Sequence, residues 1–184
     1  MYKKILVAVD DTELGKTAFQ TALDLASRYQ AQMMLIHVLS PISDAYPDSI
    51  FITPLASGAY IGLHEEFMRV YAEQWKTFEQ KGIEMLQRLT QIATDQGVPT
   101  EFTQALGDTG RAICDLAQNW QSDLIVMGRR GLKGLSELFL GSVSNYVLHN
   151  AHCSLLIVQG QTAPEDQQTE DKAGEKSAEI PTAS

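Results

Sequence analysis

Apolar residues fall in five short blocks along this chain, separated by stretches in which they recur every three or four positions. The first block, "KKILVAVD", is continuous and β-branched rather than alternating, which suits a strand buried on both faces and so a parallel, helix-covered sheet. Behind it Leu14, Ala18, Ala22, Leu25 and Ala26 recur at helical spacing as far as about Tyr29, with Thr12 placed to cap the helix. The second block runs from Ala31 to Leu39 and stops before Pro41. From His64 the spacing predicts a long helix that ends at Gly97, with Pro99 behind it. Its stripe of Phe67, Val70, Tyr71, Trp75, Phe78, Met85, Leu86, Leu89 and Ile92 reads as ordinary core.

The pattern then repeats: a strand over about Thr100 to Leu106, a helix from Thr109 capped by Asp108, the strand "DLIVM", a glycine-rich segment, a helix at about Ser142 to His149, and the strand "SLLIV". Such regular alternation predicts a doubly wound, Rossmann-like α/β fold: a five-stranded, mostly parallel sheet with about four helices and right-handed crossovers. Residues 40–63 hold Pro41, Pro47, Pro54 and Gly58 and show no clear period, so they are expected to form a long connection. After Val158 there are almost no large apolar residues, and six carboxylates stand against two lysines. That stretch cannot bury enough surface to offset its ordering entropy, so the expected division is a domain over 1–159 and a disordered acidic tail over 160–184.

Composition narrows the function. The 184 residues are 44% hydrophobic and 20% charged, enough for one well-filled core. The net charge of -9 gives little support to a sequence-independent grip on nucleic acid phosphates. No apolar run approaches the ~18 residues needed to cross a bilayer, and the start turns acidic before a signal-peptide core could develop, so a cytoplasmic chain without membrane contact is expected. Cys114 and Cys153 have no metal or disulfide-framework spacing and read as buried thiols.

The candidate chemistry lies in "GRRGLKGLSELFLGSVS", Gly128 to Ser144, which follows the strand "DLIVM". In open α/β sheets ligands sit beyond the carboxyl ends of the strands where the strand order reverses, and Met127 and Gly128 lie at such an end. Glycines there allow positive φ or close approach of a ligand to the backbone, and Gly141-Ser142 reads as the opening of a helix whose N–H groups would face an anion. Gly128, Gly131, Gly141 and Ser142 are spaced G-x2-G-x9-G-[ST], which is neither the P-loop nor the dinucleotide fingerprint.

With "ILVAVDDTE" at the first strand, "LIHVLSP" at the second and "ALGDTGRAICDLAQNWQSDLIVMGRRG" before the loop, this spacing resembles the universal stress proteins, of the subgroup that binds ATP. The resemblance implies a homodimer through the last strand that acts in stress response or signalling and binds ATP, ADP or AMP, with Mg as a further candidate. It implies that Asp10 and Val38 hold the adenine and ribose end, with Ala8 and Val9 lining the pocket and Met127 pressing on the nucleoside. Gly128, Gly131, Gly141, Ser142, Val143 and Ser144 would offer amides and hydroxyls to the phosphates. The chain departs from the family in having Cys153-Ser154 where Cys-Pro is common, and in its long 40–63 connection.

Each residue also has a plainer reading. The glycines could serve only a tight connection, Asp10 could cap the first helix, and Arg129, Arg130 and Lys133 could be solvated surface cations. His149, His152 and Cys153 read as helix-end packing rather than a metal site, and no catalytic constellation is found. The chain is therefore read as a binding protein rather than an enzyme. Slow Mg-dependent ATP hydrolysis, using Asp10 or Asp11, and a member that keeps the fold without nucleotide stay as alternatives. A phospho-receiver fails on detail, because "DLIVM" ends in Gly128 and "SLLIV" runs into Gln159.

Overall fold

The computed structural model describes residues 1–40, 61–129 and 141–159, without the side chains of 61–68 and 71. The elements alternate throughout: β1 (Lys4–Ala8), α1 (Glu13–Tyr29), β2 (Gln32–Leu39), α2 (Ile61–Asp95), β3 (Thr100–Leu106), α3 (Thr109–Trp120), β4 (Leu124–Gly128), α4 (Ser142–Asn150) and β5 (Ser154–Val158). Among the described residues the strands form one sheet, ordered β3-β2-β1-β4-β5, and every pairing is parallel. The chain builds outward from β1 through β2 to β3, then returns to the other side of β1 for β4 and β5. The strand order therefore reverses between β1 and β4, in register Ile5 with Leu124 through Ala8 with Met127.

Two apolar layers cover the sheet, and side-chain alternation along each strand decides which residue enters which layer. Ile5 and Val7 of β1, Met33 and Leu35 of β2 and Leu124 and Val126 of β4 face one way and are covered by α1 and α2. Leu6, Met34, Ile36, Ile125 and Met127 face the other way and meet Ile113 and Ala117 of α3 and Val147 of α4. Ile5, Leu6 and Val7 are fully buried, which accounts for the unbroken apolar run in β1.

The caps follow from local chemistry. Thr12 begins α1 by accepting the Gly15 N–H, and Asp108 begins α3 by accepting the Arg111 N–H. Both helices end on a residue in the left-handed region, Gln30 (φ 52°) and Gln121 (φ 57°), where glycine would be the usual occupant. At the amino end of the sheet, Asp123 accepts the Lys3 and Lys4 amides at 2.8 and 2.9 Å and ties β4 to β1. The Lys3 amide holds the Asp123 carboxyl below the usual carboxylate range, with the Lys4 amide adding to the effect.

One expectation is corrected. Among the described side chains the stripe of α2 is buried core at Met85, Leu86 and Leu89, while Val70 is 43% and Ile92 39% exposed. For Val70 the cause is length: 35 residues make a helix of about 52 Å, whereas the eight residues of β2 extend about 26 Å, so the helix outruns the sheet. Ala93, fully buried, takes the inward position that the sequence had suggested for Ile92. Trp75 and Phe78 are half-buried, and the side chains of Phe67 and Tyr71 lie outside the described residues.

The long helix is held close to the sheet at Gly82. A Cβ there would fall on Gln104 Oε1 and within 2.6 Å of His37 Nδ1. Gln104 donates from Nε2 to the Glu79 carbonyl at 3.1 Å, and its Oε1 lies 3.2 Å from His37 Nδ1. An amide oxygen only accepts, so His37 Nδ1 is the donor in this contact.

Candidate functional site

The reversal of strand order opens at the carboxyl ends of β1 and β4, where Ala8, Val9, Asp10, Met127 and Gly128 sit. Ala8, the last residue of β1, lies in register between Ile36 of β2 and Met127 of β4. Val38, two residues beyond Ile36, packs against the same apolar layer as Ala8 and Met127, and Val143 reaches that layer from the first turn of α4. The fold thus gathers Ala8, Val38, Met127 and Val143, which are separated by up to 135 positions in the chain, at one end of the α3/α4 layer.

Val9 does not join them. Its side chain is buried in the opposite layer under α1 and α2, and its amide continues the sheet by donating to the Ile36 carbonyl at 2.9 Å. Strand alternation requires this, because neighbours of Ala8 must face the other way. Only the backbone of Val9 borders the crevice.

Asp10 leaves the strand and turns toward α1. Its Oδ1 accepts the Thr12 amide at 3.2 Å and the Thr12 hydroxyl at 2.5 Å, and the Thr12 hydroxyl accepts the Gly15 amide at 3.1 Å. The cap of α1 is therefore Thr12 and not Asp10, whose carboxylate acts one step back, on Thr12 itself. Thr12 was legible as a cap, but its contact with Asp10 was not. Gly15 escaped the sequence reading altogether, although a glycine three residues after a cap, inside a helical pattern, is a signal of close approach.

Gly128 ends β4 beside α1. A Cβ on it would come within 2.6 Å of Leu14 Cγ, so the absent side chain makes room for the first turn of that helix. Its neighbour Arg129 continues the sheet, its amide donating to the Val158 carbonyl at 2.9 Å. Gly131, Arg130 and Lys133 lie outside the described residues, as do residues 41–60 and 160–184.

Gly141 precedes α4 with φ -56° and ψ 156° and offers no side-chain cap. Ser142 is exposed, Val143 half-buried and Ser144 buried. Since α4 runs back against the strands, its amino end lies on the carboxyl side of the sheet, the side of Asp10 and Gly128. The starts of α1 and α3 share that side, but each already has one first-turn amide, that of Gly15 or Arg111, taken by the side chain of Thr12 or Asp108. The first amides of α4 carry no such oxygen from a capping side chain, and they form the positive end of a helix dipole.

Among the described residues no group of three or more histidines, cysteines or carboxylates stands together as metal ligands. Cys114 and Cys153 are free and half-buried, Cys153 Sγ lying 3.6 Å from Ser122 Oγ. Burial pushes the Cys114 thiol up, which disfavours the reactive thiolate. A shallow groove lined by Leu39, Ile83, Phe102 and Leu106 runs along the β3 edge, away from the reversal point. Among the described residues no helix is long and apolar enough to cross a membrane.

Comparison with known proteins gives a consistent result. The model of the universal stress protein family matches residues 1–159. The universal stress protein Sll1388 of Synechocystis sp. is 42% identical over 161 residues, covering 86% of this chain and 98% of that protein. The solved structure of the hypothetical protein MJ0577 superposes with a TM-score of 0.66 at 20% identity, covering 89% of this chain and 99% of its own. A universal stress protein in complex with cAMP matches with a TM-score of 0.55 at 20% identity, over 86% and 97% of the two chains. A universal stress protein from Archaeoglobus fulgidus in complex with dAMP matches at 0.53 and 18%, over 85% and 97%. At these identities the solved structures establish the fold.

Proposed function

The chain belongs to the universal stress protein family, and from that premise we propose that it binds an adenine nucleotide, ATP or its ADP and AMP forms, at the carboxyl ends of β1 and β4. The phosphates lie against the start of α4 and the glycine segment, Gly128 and Gly131 through Gly141, Ser142, Val143 and Ser144. The nucleoside rests on the apolar end formed by Ala8, Val38 and Met127, with the backbone of Val9 at its border and Asp10 toward the ribose.

The observation that carries this reading is the start of α4. Of the three described helix starts with a defined cap residue, it is the one without a side-chain acceptor, and it stands where the strand order reverses, next to an apolar floor. A phosphate would supply the missing acceptor. Two family neighbours in complex with cAMP and dAMP add support for an adenine ligand.

The test is a calorimetric titration of nucleotide-stripped protein with ATP, ADP and AMP, repeated on Gly131→Val. Saturable binding is expected for the wild type, with affinity lowered at least tenfold in the variant. The order of the three affinities identifies the phosphates that the loop reads. Absence of heat, together with absence of competition by any of the three, would sink the proposal.

The same reading includes a homodimer through β5 that transmits the bound state in stress response or signalling. Among the described strands β5 pairs on one side only, with β4, and Leu155, Leu156, Ile157 and Val158 are half-buried on the isolated chain. An apolar edge of this kind invites a further strand. Sedimentation at micromolar concentration is expected to give twice the chain mass of 20.3 kDa; a monomer would remove the dimer from the proposal.

A further inference from the structure

We infer that Thr12 and Gly15 are positioning residues for Asp10, and that through Asp10 they make the site favour ribonucleotides over 2′-deoxyribonucleotides. The inference rests on the nucleotide reading above, in which Asp10 faces the ribose.

A carboxylate just past a strand end ordinarily samples several rotamers. Asp10 is instead gripped through Oδ1, which takes both the amide and the hydroxyl of Thr12. The direction of that second bond is fixed by the helix. Because Thr12 Oγ1 already accepts the Gly15 N–H at 3.1 Å, its one hydrogen is left to be donated, and Asp10 Oδ1 lies in its reach. The relay therefore runs from the Gly15 amide through the Thr12 hydroxyl to Asp10.

Gly15 is what makes this geometry attainable. A Cβ at position 15 would fall on Asp10 Oδ1, and within 2.5 Å of the Asp10 carbonyl oxygen and 2.9 Å of its amide nitrogen. Any side chain there must push away the backbone of Asp10 as well as its carboxylate. Glycine is a poor helix former, and its presence in the first turn of α1 is explained by this approach.

A carboxylate held in one orientation is a directional acceptor, and ribose offers it two neighbouring hydroxyl donors. Removing the 2′-hydroxyl takes away one of them. A hydrogen bond to a charged group changes affinity by about tenfold or more, but only where the acceptor does not have to be ordered first. Thr12 and Gly15 do that ordering in advance.

The experiment is titration of wild type, Thr12→Ser, Thr12→Val and Gly15→Ala with ATP and with dATP, alongside melting curves. Wild type is expected to favour ATP about tenfold, and Thr12→Ser, which keeps the hydroxyl, to retain that preference. In Thr12→Val and Gly15→Ala the two affinities are expected to fall within about twofold of each other. Loss of a helix cap alone would lower the melting temperature and weaken both nucleotides alike, leaving their ratio unchanged, so the ATP to dATP ratio reads the hold on Asp10 separately from the cap. Equal binding of ATP and dATP by the wild type, or wild-type preference in Thr12→Val, would overturn the inference and leave the nucleotide reading standing. Binding of neither nucleotide by the wild type would overturn both.

Discussion

Ser142→Asp is expected to reduce adenine-nucleotide affinity more than 100-fold while raising, not lowering, the melting temperature. Ser142 is exposed and opens α4, whose first amides have no side-chain cap. A carboxylate in a first turn stabilises a helix by about 0.3–1 kcal/mol, which in a domain of this size raises the melting temperature by roughly 1–3 °C. The same carboxylate would compete for the amides that the phosphates need. At a separation of ~4 Å and an effective dielectric of ~20, two like charges repel by about 4 kcal/mol, far more than the hydroxyl of serine contributes. Calorimetry and thermal melting on the same preparation check both halves. Ser142→Ala serves as the control: it removes a hydroxyl but no amide and is expected to weaken binding only about two- to fivefold. Unchanged affinity in Ser142→Asp would remove the start of α4 from the site.

An acidic protein that binds an anion presents no contradiction once distances are considered. The net charge of -9 is spread over the whole chain, and the stretch after Val158 alone carries -4 of it. Exposed charges more than ~8 Å away are largely screened at physiological salt, whereas the amides of a helix start act at hydrogen-bond distance. At the proposed phosphate site the balance is set by the residues that touch it. The Asp10 carboxylate is held at the start of α1 by the amide and hydroxyl of Thr12.

Much of this arrangement was legible in the residues. The unbroken apolar run of β1 announced a strand covered on both faces, and Asp108 and Thr12 announced the helix starts, because those signals are local and one residue decides each of them. The bounds of β3 were legible for the same reason, lying between Pro99 and the Gly107-Asp108 turn, where Gly107 has a φ of 129°. What escaped was whatever depends on two distant segments meeting. Periodicity could assign the stripe of α2 to one face, but not say where the sheet beneath it would end. Spacing could mark Gly128 as bare backbone, but not that Leu14 would lie over it. Resemblance could place Val9 near the crevice, although alternation from Ala8 sends its side chain into the opposite layer. Gln30 and Gln121 in left-handed caps carried no signal, since nothing in a glutamine announces positive φ.

Gly128 carries the other large expectation, because two explanations of its missing side chain make different forecasts. The spacing argument leaves it bare for the ligand; the structure leaves it bare for Leu14. Gly128→Ala puts a methyl within 2.6 Å of Leu14 Cγ and 3.0 Å of its Cδ2, whereas the Leu14 carbonyl at 3.4 Å stays in ordinary contact, so it is the Leu14 side chain that must move. Overpacking of this kind costs about 1–3 kcal/mol. Because Leu14 stands one residue before Gly15 in the first turn of α1, displacing it is expected to loosen the seat of Asp10, and nucleotide affinity is expected to fall at least tenfold together with stability. Leu14→Ala removes the obstructing carbons, at its own cost of lost packing. If Leu14 is the reason for the glycine, the double variant is more stable than the sum of the single effects by about 1 kcal/mol or more, and it regains affinity as well. Urea unfolding and ATP titration of the four proteins complete the cycle. Recovery of stability and of binding together is the expected result, since Gly128→Ala keeps the amide that a phosphate would use. Stability recovered without binding would instead place the ligand against the α-carbon of Gly128 itself, and additive losses would remove Leu14 from the account.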